Sequence, residues 1–170
     1  MKKLAFPLII VALLAALVPV AVSAHTAGNP LTAKLMAGQS IYSGHVQVWN
    51  DGTNLHVRYQ AKSGEGFCLN ETHLHVATSL ADIPQKNGNP IPGHFDYKDD
   101  DLGCVHDVEY VIPLDGWGAD TQLFIAAHAV VGDMYDPYFE ETAWGVLCGH
   151  LDRYGFPGRN WAAYIPYTVQ

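Results

Sequence analysis

Histidines two residues apart on an extended chain point the same way, and His73 and His75 form such a pair. Imidazoles roughly 6.5–7 Å apart along one strand face can share a zinc or copper ion if a neighbouring strand brings a third ligand. His56 and His128, each inside a strand-like run, can supply that ligand, and Glu71 shares the parity of 73 and 75. The same residues also suit a polar sheet face, or buried histidines hydrogen-bonded to neighbours. His25 offers separate chemistry. As an N-terminal residue its amine and imidazole would form a bidentate copper chelate, given a second histidine nearby; a frayed terminus is the plainer reading.

Carboxylates are the second theme. Asp96-Tyr-Lys-Asp-Asp-Asp101 contains the run Asp99, Asp100, Asp101, and Asp133, Asp136, Glu140 and Glu141 form another group. Calcium takes six to eight oxygens and suits acidic loops. Neither group has the spacing of an EF-hand or a nonapeptide repeat, and solvated loop charge is the ordinary use of such residues. Glu140, Glu141 and Asp152 could form a carboxylate pair for glycoside hydrolysis, but nothing in the sequence fixes their separation. GxSxG, HExxH and a glycine-rich phosphate loop are all missing. The expectation is a non-enzymatic protein. Four Trp and nine Tyr also invite a glycan-binding reading; most will be core, which leaves Trp144 and Trp161 as candidates.

The elements that must position these residues are strands. Val46 and Val48 alternate with His45, Gln47 and Trp49; Leu55, Val57 and Tyr59 alternate with His56 and Arg58; Asn50-Asp51-Gly52-Thr53 between them is a hairpin turn. Further strand candidates are 67–78, 93–98, 108–113, 122–131, 142–147 and 161–169, separated by Pro, Gly and Asn. The segment 122–131 is apolar on both faces and is expected to be central. Segments 132–141 and 148–160 read as loops. Seven to nine short strands predict an all-β, antiparallel sandwich, Ig-like or jelly-roll.

The chain has three cysteines, Cys68, Cys104 and Cys148. Cys68 opens one strand candidate and Cys104 precedes another, which favours a Cys68–Cys104 disulfide and leaves Cys148 free or paired between chains. Asn70-Glu71-Thr72 is a glycosylation sequon, meaningful only in a host that glycosylates.

Phe67-Cys-Leu-Asn-Glu-Thr-His-Leu-His-Val-Ala-Thr-Ser79 is similar to a GWxLxETHLHVATS motif. Asp82-Ile-Pro-Gln85, Gly88-Asn-Pro-Ile-Pro-Gly93, Ile125-Ala-Ala-His-Ala-Val-Val131 and Glu141-Thr-Ala-Trp144 continue it. In this order, from about Leu35 to Gln170, they resemble a group of secreted β-domains in bacterial and archaeal surface proteins. The resemblance implies location and fold rather than chemistry. Gly66-Phe67-Cys68 departs from it where the motif has Gly-Trp.

Residues 1–24 have the form of a cleavable signal peptide: Lys2 and Lys3, an apolar run from Leu4 to Val22, then Val22-Ser23-Ala24. The expected mature chain is a single domain, residues 25–170, secreted or at the cell surface, without a further membrane span. Without Lys2 and Lys3 it carries seven basic and seventeen acidic residues, a formal charge of −10. That charge argues against nucleic acid and for divalent cations or basic partners. The expected function is structural, adhesive or self-assembling. A His-rich zinc or copper module and an ion-dependent glycan binder are the alternatives. The assembly version rests on Leu31, Ala33 and Leu35, which alternate with Thr32 and Lys34 in a short strand set off by Pro30. Such a strand can fold back on its own sheet, or add to a neighbour's edge and build a homo-oligomeric filament promoted by calcium.

Overall fold

The computed structural model of the protein describes residues 24–147 and 154–170. The expected signal peptide, apart from Ala24, lies outside the described residues, as do Cys148 and Asp152. Eleven strands are present among the described residues: β1 (Leu31–Ala37), β2 (Ile41–Asn50), β3 (Asn54–Ala61), β4 (Phe67–Ala77), β5 (Gln85–Lys86), β6 (Asn89–Pro90), β7 (Tyr97–Asp99), β8 (Asp107–Pro113), β9 (Gln122–Asp133), β10 (Glu140–Val146) and β11 (Ile165–Thr168). All named pairings are antiparallel. The all-β antiparallel expectation holds. The strands beyond the expected number include the two-residue β5 and β6, which pair only with each other in the main loop excursion.

The large sheet runs β7-β4-β9-β10-β1-β2-β3-β8, with β11 added alongside β9. The β2–β3 hairpin turns where Asn50–Thr53 predicts it. The Asp51 carboxylate accepts from the backbone N–H groups of Thr53 (2.9 Å) and Asn54 (2.7 Å), and Gly52 takes the left-handed φ of 88°. The apolar set of each strand points to one side: Ala33 and Leu35, Val46 and Val48, Leu55, Val57 and Tyr59, and Leu123 and Ile125 are all buried in one core. β9 is central as expected, paired with β4 on one side and with β10 and β11 on the other.

Burying that single apolar face makes the sheet roll up. Its far wall then meets β4: Val105 bridges Leu69 through two backbone hydrogen bonds (2.8 and 3.1 Å), and the carbonyl of the next residue, His106, accepts from Ala61. The Tyr59 hydroxyl donates to the His73 carbonyl (2.9 Å), and Tyr110 meets Thr72 (2.8 Å). The Cys68–Cys104 disulfide forms beside this seam as expected. A second, outer core lies over β4, β9 and β10, where Ile83, Phe95, Phe156, Ala162 and Ala163 cover Ala77, Ala126, Trp144 and Val146.

One expectation is corrected here. Leu31, Ala33 and Leu35 do not form a spare strand. They lie in β1, which pairs with β2 on one edge and β10 on the other. β2 pairs with β1 along its whole length and β10 pairs with it from Lys34 to Ala37, so that half of β1 is internal to the sheet on both edges.

Candidate functional site

The outer face of β4 carries the site, and a bulge sets its phase. Leu69 pairs with Val131 and Glu71 with Val130, so Asn70 is the extra residue. Without it, residues 69, 71, 73 and 75 would share one face. With it, Leu69 remains in the inner core while Glu71, His73 and His75 turn outward.

Three strands converge on His73. On β9 its direct pair is His128, and on β7 it is Lys98. His128 in turn pairs with Trp144 on β10. Continuing the β4–β7 register by one residue at each end sets Asp100 opposite Glu71 and Asp96 opposite His75. One face thus presents Glu-His-His along β4 against Asp-Lys-Asp along β7.

The contacts follow this layout. His73 Nε2 lies 2.8 Å from Asp100 Oδ1 and 3.9 Å from Glu71 Oε2. Glu71, His73 and Asp100 each bring one ligand atom to within 4.8 Å of the others. The imidazole is buried, while the two carboxylates are partly open to water. The second nitrogen of His73, Nδ1, lies 3.1 Å from Nδ1 of His128. Burial, reinforced by His73, pushes the pKa of His128 down to about 3, so it is neutral and can accept a hydrogen bond. Its ring packs edge-on against Trp144 at 4.8 Å. The hydrogen bond from His73, assisted by Lys98, holds the Asp100 carboxyl below its ordinary range. An ion on Nε2 would leave Nδ1–H to donate to His128, the outer-shell arrangement typical of metal-bound histidines.

Other expected ligands lie elsewhere. His75 does not share the ligand group of His73. Its Nδ1 faces Asp96 Oδ2 at 3.4 Å and its ring packs on Phe95; burial lowers its pKa against the opposing pull of Asp96 and Asp82. His56 is on β3, which pairs with β2 and β8 and not with β4. It stacks on Trp49 (4.8 Å) and bonds to Glu109 (2.9 Å) and Asp51 (3.1 Å). Of the run Asp99, Asp100 and Asp101, only Asp100 reaches the imidazole. The Asp99 carboxylate accepts from the Asp101 N–H instead, so the three do not gather oxygens for calcium. Asp133 and Asp136 accept from the N–H groups of Tyr135 and Tyr138, each within its own turn. Trp144 is buried rather than displayed for a glycan, and Trp161 packs beside the outer core. The backbone N–H of His25 donates to the Gln170 side chain, and its ring lies near Tyr167 rather than a second imidazole.

Sequence reasoning missed the roles of Asp96 and Asp100 as separate partners of the two histidines. The usable signal was their four-residue spacing, which matches the outer parity of an antiparallel neighbour of β4. No family model, curated protein or solved structure matches the chain.

Proposed function

We propose that this protein is a secreted, non-enzymatic surface domain that binds a divalent metal ion through Glu71, His73 and Asp100. The carrying observation is that one imidazole nitrogen and two carboxylate oxygens lie within 4.8 Å of one another on paired strands. His128 supports the arrangement from the far side of the His73 ring. An imidazole with two carboxylates suits zinc or copper better than calcium, which prefers an all-oxygen shell. Three protein ligands leave room in the coordination shell for an oxygen from outside. This is how such an ion would serve adhesion or glycan capture at a surface.

The test is zinc, copper and calcium titration of the mature chain by calorimetry, with bound metal measured by elemental analysis. The Asp100 side chain is more than half exposed, so Asp100→Ala should preserve folding. The expected result is tight zinc or copper binding, weak calcium binding, and at least a tenfold loss of zinc affinity in the variant. Equal zinc affinity in wild type and Asp100→Ala would overturn the assignment.

A further inference from the structure

His75 is almost wholly buried, 7% exposed, yet its Nδ1 has no hydrogen-bond partner. The ring is held on both sides. Its remaining hydrogen bond goes to the backbone of Asp82, and Phe95 packs against it with ring centroids 5.7 Å apart. Nδ1 is therefore aimed by its surroundings, and it is aimed at a carboxylate: Asp96 Oδ2 stands 3.4 Å away. That separation is long for a charge-assisted hydrogen bond, which closes to about 2.7–2.9 Å, and no hydrogen bond forms across it.

Lys98, the nearby cation on the same strand face, does not fill the gap. Its ammonium lies 3.4 Å from Asp100 and donates to the Gly93 carbonyl at 3.2 Å. A buried nitrogen without a partner is costly, and here it faces an anion.

The separation fits a bridging ion. Nitrogen and oxygen ligands each bound at about 2.1 Å to a tetrahedral ion stand roughly 3.4 Å apart. A metal-bound histidine characteristically gives its other ring nitrogen to a backbone carbonyl or carboxylate, the position that the Asp82 backbone occupies here. We infer that His75 Nδ1 and Asp96 form a second divalent-cation site, separate from the Glu71–His73–Asp100 group, for a borderline ion of the zinc class with water in the remaining positions. It shares no ligand with the first group, although the two histidines are only two residues apart on β4.

The test is zinc stoichiometry by elemental analysis after dialysis, with calorimetric titration, on the mature wild-type chain, Asp96→Ala, Asp100→Ala and the double variant. Both carboxylates are largely exposed, so folding, checked by circular dichroism, is expected to survive in all four. The expected result is two zinc ions per chain in wild type, one in each single variant and none in the double variant. A single wild-type zinc that is lost in Asp100→Ala and kept in Asp96→Ala overturns this inference and leaves the first site standing. A single zinc lost in Asp96→Ala and kept in Asp100→Ala supports it and removes the first site. A single zinc lost in either variant means one shared site and overturns the separation. No zinc in wild type overturns both.

Discussion

His128 and His56 respond to pH in opposite directions, because one is buried away from anions and the other sits between them. His128, with a pKa near 3, takes up its proton in the unfolded chain near 6.5 but not in the folded one. Its contribution is therefore intact above about pH 6.5 and lost as pH falls below it, at up to about 1.4 kcal/mol per pH unit. For His56, burial works against the charge, but Glu109 and Asp51 outweigh it and raise the pKa. Its contribution is present below the ordinary value of 6.5 and is lost as pH rises through the higher folded value. Urea unfolding should thus find His56→Gln more damaging at pH 5.5 than at pH 8.5. His128→Leu should flatten the wild-type loss of stability between pH 6.5 and 4.5. Equal penalties for His56→Gln at both pH values would remove its charge from the account.

Between β4 and β8 the chain closes its roll, and the closure is both covalent and hydrogen-bonded. Cys68–Cys104 spans 36 positions beside the Leu69–Val105 bridge. A loop of that length predicts about 4 kcal/mol of stabilisation from restricting the unfolded chain. Reduction should lower the unfolding free energy by that order, and the β4–β8 seam should exchange its amide hydrogens first. An unchanged denaturation midpoint after verified reduction would mean that the backbone ladder alone holds the seam. Alternation made the strands around Val46, Val57 and Ile125 legible in the sequence, as well as the shared face of Glu71, His73 and His75. The disulfide was legible because both cysteines flank strands. The phase of that face relative to Leu69 was not legible, since a one-residue bulge at Asn70 leaves no compositional mark. Nor was the pairing of β4 with β7, whose three residues lie between 3₁₀ turns and a run of aspartates. Local pattern determines which way a side chain points, whereas the identity of its neighbour depends on contacts distant in sequence.

Across the whole molecule, β1 holds the large sheet together near its middle. In the order β7-β4-β9-β10-β1-β2-β3-β8 it lies between β10 and β2, on the path from β4, which carries the histidine clusters, to β3, which carries His56. It buries Ala33, Leu35 and Ala37 completely and supplies ladder partners to β2 and β10 at once. Removing it would expose two strand edges and an open core in a chain already carrying excess negative charge, so residues 25–40 cannot be dispensable to the fold. A chain lacking them should lose its cooperative unfolding transition and its protected amides. Leu35→Ala, a single truncation at the same place, should cost about 2–5 kcal/mol through the cavity it leaves. Thermal and urea unfolding of both variants, followed by circular dichroism, tests this. If the shortened chain still unfolds cooperatively near the wild-type midpoint, β1 is not integral to the sheet, and edge donation by Leu31, Ala33 and Leu35 returns as the better account.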